Sequence, residues 1–473
     1  MSYHHLRRLL PALLPLMAAG CALGPDYVRP ELGLPAQYRE VAATEASIAD
    51  TGWWEVFKDE HLQGLVRTAL RENKDLLTAF ARIEEARGLL GITRSDQFPA
   101  LDIRGSAART DPPDTSAPAA FTTPRNDFFA ALDLSWELDL WGKLRRATEA
   151  GRADLLAAEY NARAVVVTLV AEVASTYYRL LEADDRLKIS QRTLANRRDA
   201  TGIIRARFNQ GLIPELDVNQ AEIEELDALV ATAVVERQIR GLENAMSVLT
   251  GRMPGPITRS QPGSSLTDLP EIPVGLPAFL LERRPDIAAA EQLAAAEMAR
   301  IGVAEAQRLP SLGLGGLIGY RSLEEGDLFE SSSLTWDIAG SLVGPLIDFG
   351  RSRSRVIVAE ARSDQALRSF EQQVLRAVQE VDDALVAMRT YRVERDARVA
   401  QRTAATNAAR LSRARYDDGV APYLEVLDSE RSLFEAELAG SLALQNYQVA
   451  YVQLYRALGG GWMPEPPVAQ ASR

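Results

Sequence analysis

The stretch RARFNQGLIPELDVNQAE, from Arg205 to Glu222, returns as RARYDDGVAPYLEVLDSE from Arg413 to Glu430, 208 positions later. The two share Arg-Ala-Arg, an aromatic residue, glycine, proline, leucine, valine and glutamate in the same order. At the same offset Gly142 meets Gly350, Arg145 meets Arg353, Glu172 meets Glu380, Val173 meets Val381 and Gly251 meets Gly459. An earlier block repeats at an offset of 211, pairing Asp75 with Asp286, Gly91 with Gly302, Pro99 with Pro310, Leu101 with Leu312 and Gly105 with Gly316. The three-residue change of offset falls in the loop after Gly105 or Gly316. The chain is therefore two copies of one unit, each too long for a solenoid repeat.

Each copy has the same internal order. Residues 143–213 and 346–421 contain no proline, and an unbroken helix of about 65–70 residues would span roughly 100 Å. In the first copy Val166, Val173, Leu180, Leu187, Leu194 and Phe208 stand at multiples of seven, as in a coiled-coil seam. Gly211 with Pro214, and Gly419 with Pro422, then give a stop followed by a restart. A return helix runs on to Gly251 or Gly459. Each duplicated stretch is thus the tip of a long antiparallel helical hairpin. A soluble coiled-coil rod would explain this part equally well.

The residues before each long helix change period. ALDLSWELDLW puts Leu132, Leu134, Trp136, Leu138 and Leu140 on one face and Asp133, Ser135, Glu137 and Asp139 on the other. LTWDIAGSL alternates likewise: Leu334, Trp336, Ile338 and Leu342 oppose Thr335, Asp337, Ala339 and Ser341. PALDIRGSA and PSLGLGGLIGY read as their partner strands, each started by a proline. The expected product is one hairpin per copy with strands of about ten residues, the length that crosses a bilayer when tilted. Four strands cannot enclose a water-filled lumen, and an open edge is not tolerated in lipid. Either the strands make a soluble sandwich, or several chains pool them; three chains would give twelve.

Composition narrows the function classes. The net charge is −12, a poor match for nucleic acid. His4 and His5 lie in the leader, so His61 is the one histidine beyond it. With a single cysteine as well, the chain has little from which to build a catalytic or metal site on His and Cys, although carboxylates are plentiful. The leader, MSYHHLRRLLPALLPLMAAGC, has a basic start, a short apolar run and small residues before Cys21. Removing residues 1–20 leaves a charge of −14. Cys21, followed by Ala22, reads as the acylated first residue of a bacterial lipoprotein, with Ala18 where leucine is usual; the alternative is an incidental free thiol.

With these features in place, the sequence resembles the outer membrane factors, the TolC-like family, and most closely the lipoprotein branch that serves resistance-nodulation-division efflux pumps (NodT type). The resemblance is carried by CALGPDYVRP, WWEVFKDEHLQGLVRTALRENKDL, WELDLWGKLRR, ERRPDIAAAE, GPLIDFGRSRS and both tip stretches, over nearly the whole chain beyond the leader. It implies a mixed, mostly α membrane protein: a homotrimeric 12-stranded outer-membrane β-barrel, four strands per chain, continued by a long periplasmic α-helical barrel. The implied partners are a periplasmic adaptor protein, an inner-membrane resistance-nodulation-division pump and outer-membrane lipid. No cofactor, metal or catalytic residue is expected, and a passive duct for drugs or other small molecules is the implied function. A duct for type I protein secretion and a lipid-anchored periplasmic scaffold without a pore remain the alternatives.

The resemblance also assigns site residues. The turns at Gly211, Pro214, Gly419 and Pro422 are expected at the adaptor-binding entrance. Leu424 and Asp428 occupy the positions that narrow the bore in the family, and Glu425 sits where some members carry another aspartate. Ala421 stands where an arginine ties the closed tip elsewhere. Spacing agrees for Leu424 and Asp428, because residues four apart share a helix face. The expected organisation is a signal peptide at 1–20 and a lipidated extended segment, part of an equatorial belt, at 21–60. Repeat 1 follows at 61–250 (hairpin about 99–140, tip about 209–216) and a proline-rich equatorial link at 251–285. Repeat 2 is at 286–460 (hairpin about 310–345, tip about 417–424), with a tail at 461–473. GLGGLIGY does not fit a phosphate loop and reads as a strand; Trp53-Trp54 reads as belt packing rather than a stacking site.

Overall fold

Asp59 opens the first long helix by accepting from the backbone N–H groups of His61 and Leu62, at 2.9 and 3.2 Å. In the computed structural model, which describes residues 22–39, 47–111, 125–261, 273, 275 and 277–462, that helix is α1, Glu60–Glu72. The leader, Cys21, most of the first hairpin loop and nearly all of the tail lie outside the described residues. Asn73 closes α1 and, accepting from Leu76 N–H at 2.9 Å, opens α2, Lys74–Ser95. The hairpin of β1 (Ala100–Thr110) and β2 (Arg125–Leu138) comes next, then α3 (Lys143–Asn209) and α4 (Glu215–Leu249). The second half follows the same order with α5 (Pro285–Ala306), β3 (Ser311–Ser322), β4 (Leu334–Val343), α6 (Arg351–Asp417) and α7 (Tyr423–Ala457). α3 and α6 each have 67 residues, α4 and α7 each 35, and α2 and α5 each 22.

Contacts divide the chain into two compact units. One comprises Met1–Glu31, Arg82–Glu159 and Ala289–Glu371. It contains the sheet, antiparallel throughout in the order β1-β2-β3-β4. The period-two pattern acts here as a register device. Leu101, Leu134, Gly316 and Ile338 stand opposite one another across all four strands, as do Ile103, Leu132, Ile318 and Trp336. The alternate rows carry Asp102, Asp133, Leu317 and Asp337, with Arg104 hydrogen-bonded to Asp133. One face is thus continuously apolar and bare: Ile338 is 81% exposed. In the same unit the segment after Ala22 is strapped down. The carbonyls of Leu23 and Gly24 accept from the buried Arg146 at 2.9 and 3.0 Å. Arg29 forks onto Glu291 at 2.6 and 2.7 Å, so CALGPDYVRP and ERRPDIAAAE bind each other.

The other unit comprises Leu32–Ala81, Tyr160–Ala288 and Gln372–Arg473. Its core takes in only part of the expected seam: Val173 and Leu180 of α3 are fully buried, with Tyr177 of α3 and Tyr451, Val452 and Leu454 of α7, whereas the seam positions Val166 and Leu187 are half-buried. Phe208, the last seam position, is by contrast 37% exposed, because the hairpin is already ending there. One 18-residue window of α3 is apolar enough to cross a membrane by length and composition, yet 67% of it is buried inside the protein, as in a core helix. Trp53 is buried with the Arg67 guanidinium over its ring, which places it in packing. The link after Gly251 is pinned by Arg259, which forks onto Asp184 at 2.5 and 2.7 Å and reaches Glu243 at 2.8 Å. These two carboxylates hold the guanidinium well above its ordinary pKa despite partial burial.

Candidate functional site

Both tips are built by one device. Gly211 has φ of 71° and Gly419 has φ of 73°, the left-handed region that glycine enters without a Cβ penalty. Gly211 N–H bonds to Phe208 O and Leu212 N–H to Arg207 O; Gly419 and Val420 repeat this with Tyr416 O and Arg415 O. These paired bonds satisfy the carbonyls that α3 and α6 would otherwise leave open, as in a Schellman motif. Pro214 and Pro422 are the N-caps of α4 and α7, one position earlier than a first-turn restart. An added Cβ at Gly211 or Gly419 meets nothing within 4 Å, so the backbone conformation alone demands glycine.

The first turns of α7 sort the gate candidates by face. Tyr423, Val426 and Leu427 are buried in one cluster with Ile204 of α3 and Val218 and Ala221 of α4. Leu424 (57% exposed) and Asp428 lie together on the opposite, open face. Glu425 does not join them: it pairs with Arg415 of α6 at 2.9 Å. Ala421 is half-buried in the turn between Gly419 and α7.

Contacts that the sequence reading passed over tie the two hairpins together. Arg207 donates to the Tyr416 hydroxyl at 2.8 Å and lies over the same ring. Further from the turns, Arg197 of α3 and Glu224 of α4 form a buried ion pair at 2.9 Å, and Arg197 also donates to Glu224 O at 2.7 Å. Arg431 of α7 adds a second guanidinium to Glu224. Burial raises the neighbouring Glu430 carboxyl above its usual range even though Arg413 stands 3.2 Å away. A signal was present in the duplicated stretch: Phe208 in one copy is Tyr416 in the other, and the added hydroxyl is what Arg207 binds. The arrangement holds no nucleophile–base pair; it can position helices and present Leu424 and Asp428 to a neighbour.

Comparison with known proteins gives a consistent result. The family model described as outer membrane efflux protein matches twice, over residues 65–252 and 276–460. Outer membrane protein OprJ of Pseudomonas aeruginosa is 35% identical over 460 residues, covering 95% of each chain. Cation efflux system protein CusC of Escherichia coli is 33% identical over 466 residues, covering 96% of this chain and 99% of its own. The CmeC outer membrane channel of Campylobacter jejuni superposes with a TM-score of 0.87 at 27% identity, covering 93% of this chain and 95% of that one.

Proposed function

This chain belongs to the outer membrane efflux protein family, and on that premise we propose that it is the exit duct of a tripartite efflux system. It carries drugs or other small molecules passively across the outer membrane. Three copies pool their strands into a twelve-stranded barrel, and their helices continue it as a tube into the periplasm. An inner-membrane resistance-nodulation-division pump supplies the energy and a periplasmic adaptor joins the two. The family is one of channels, not enzymes.

The observation that carries this reading is the sheet. Its four strands of 10–14 residues are long enough to cross a bilayer when tilted. One face is apolar in every strand, the other bears Asp102, Asp133 and Asp337, and among the described residues neither outer edge, β1 or β4, has a further strand partner. An apolar outside, a wet inside and two complementary edges are what a pooled barrel needs, and lipid tolerates no open edge. In the same reading Cys21 is acylated and adds an anchor. Leu424 and Asp428 form rings at the periplasmic constriction, with Glu425 set back beside Arg415. The turns at Gly211, Pro214, Gly419 and Pro422 meet the adaptor.

Purified protein in planar bilayers tests the proposal, together with drug susceptibility of a deletion strain. The expected result is stable ohmic conductance and drug hypersensitivity restored by the gene. Folded trimers that never conduct would support the scaffold reading instead. Conductance without a drug phenotype, but with loss of a secreted protein, would support the type I secretion duct.

A further inference from the structure

We infer that the groove between α5 and α6, in the unit that holds the sheet, is a binding site for amphipathic organic anions on their way out of the cell. This rests on the duct reading above and names a substrate class for it.

The groove has a volume of about 460 Å³. Its floor is apolar, with Val303 and Ala304 from α5 and Val358 and Ala359 from α6. Its rim is basic: Arg300 stands on one wall and Arg351, Arg355 and Arg362 on the other. Arg300 is engaged inside the chain, by Asp154 at 2.5 Å and by Glu297, the one acid in the lining, at 2.6 Å. The other three guanidiniums are exposed, and among the described residues none has a carboxylate within 4.0 Å. They form one stripe along α6, about 16 Å from first to last, in which neighbouring like charges repel. α6 has no acidic residue in its first turn, where the helix dipole already disfavours cations. Asp348, just before it, is taken up as a cap by the Ser352 N–H and hydroxyl.

The first half of the chain has no such stripe. The counterparts of Arg351, Arg355 and Arg362 are Lys143, Ala147 and Asp154, and there Lys143 pairs with Glu137 and Asp154 with Arg300. Unpaired positive charge is thus peculiar to the second half, beside an apolar floor. Together they complement a ligand with an anionic head and an apolar body. The groove also opens on the wet side. Glu297, Arg300, Ala304 and Gln307 stand about 140–160° round α5 from Gly302. The strap after Ala22 packs on Gly302 so closely that a Cβ there would lie 2.3 Å from Leu23 O. Gln307 and Arg355 line an adjoining cavity of about 300 Å³ that reaches Glu137, on the polar face of β2. In the proposed barrel that face is the lumen, so an anion leaving by the duct passes the groove. Both walls belong to one chain, and the site needs nothing from a neighbouring copy.

Equilibrium dialysis of naphthalenesulfonate against the full-length protein in lipid nanodiscs, with empty nanodiscs as the blank, tests the site. Arg355→Ala combined with Arg362→Ala is expected to weaken binding at least about tenfold, because two charge-assisted contacts are lost. Arg353→Ala removes the same charge from another face of α6 and is expected to stay within about twofold of the parent. Inorganic phosphate has the charge without the apolar body and is expected to bind at least about tenfold more weakly than the sulfonate. Equal loss in Arg353→Ala, unchanged binding in the double variant, or phosphate bound as tightly overturns the site. A deletion strain carrying the double variant is then expected to lose tolerance of decanesulfonate and to keep that of decyltrimethylammonium. Equal loss of both, or of neither, overturns the substrate class. Parent protein that conducts in planar bilayers but binds no sulfonate overturns the site alone. Parent protein that never conducts removes the duct reading, and the export role of the groove with it.

Discussion

Arg284→Ala removes the guanidinium that closes the second half of the chain, and its cost follows from what it leaves behind. Arg284 is 6% exposed. Its Nε and Nη2 donate to the two Asp286 oxygens at 3.0 and 2.6 Å, and its Nη1 to Glu380 at 2.8 Å and to Ala457 O, near the end of α7, at 3.1 Å. Without it, Asp286 keeps the Gln373 amide at 2.5 Å but no counter-charge from Arg284. Removing one partner of a buried pair costs about 3–5 kcal/mol, and Glu380, being more exposed, adds little. A cost of about 3 kcal/mol raises the open fraction at the end of α7 by roughly two orders of magnitude.

The pH dependence has a definite sign. Burial pushes the Asp286 carboxyl up, but Arg284, Gln373 and the Ile287 N–H together hold it below the usual carboxylate range. Its stabilisation is therefore present above the unfolded carboxylate pKa and is lost as pH falls through the lower, folded value. In the variant burial prevails, so the penalty is full at neutral pH and shrinks as the carboxyl protonates. Hydrogen exchange of peptides covering Leu454–Leu458, compared with the unmodified protein at pH 7.5 and at pH 5, reads both effects. Arg284→Asn is expected in between, because Asn73 already serves the first half by donating to Leu249 O at 3.0 Å. Exchange within about tenfold of the parent at both pH values would refute the reasoning: Arg284 would then not be the counter-charge that keeps Asp286 ionised.

Gly419→Val is expected to leave trimer abundance normal while producing drug hypersensitivity. The left-handed backbone costs a β-branched residue about 1–2 kcal/mol locally and the side chain projects into open space; unimpaired efflux by a well-expressed variant would exclude the turn as the docking point. Leu424→Ala is expected to raise resting conductance in planar bilayers by widening the apolar constriction, and Asp428→Ala to reduce cation preference, because a ring of carboxylates attracts cations and resists anions. Wild-type behaviour in both would place the constriction elsewhere. Cys21→Ser is expected to abolish palmitate labelling while trimers persist, since in the proposed barrel the pooled strands would anchor the assembly without the acyl chain; an unlabelled parent protein would rule out acylation at Cys21.

The elements that periodicity and turn residues specify were legible, and for stated reasons. A strand with period-two alternation has one register that keeps its apolar residues on one face, so Leu132, Leu134 and Trp136 were enough to orient β2. Gly211 and Gly419 were legible because only glycine enters the left-handed turn freely, and each φ is positive. Glu425 was harder. Its spacing from Leu424 and Asp428 says nothing of Arg415, which lies on another helix and takes its charge at 2.9 Å. The buried pair of Arg197 and Glu224 was invisible for the same reason: in charge-rich helices every carboxylate has a basic residue within a turn or two, and only packing selects the one that matters.

The duplication explains the scaffold, and the departures from it locate the chemistry. Where both copies keep a residue, as at Gly211 and Gly419, it serves a backbone conformation needed twice. Where they differ, the difference sits at a contact used once. Asn73 caps with an amide what Arg284 closes with a charge; Phe208 faces outward where Tyr416 accepts from Arg207. The gate candidates follow the same rule. Leu424 has its counterpart in Leu216, equally exposed, whereas Asp428 corresponds to the uncharged Gln220. Six tips around a three-fold axis would then share the apolar position but carry the carboxylate only on every second hairpin. Repulsion among three carboxylates is weaker than among six, so closure by apolar contact remains within reach of ordinary helix packing.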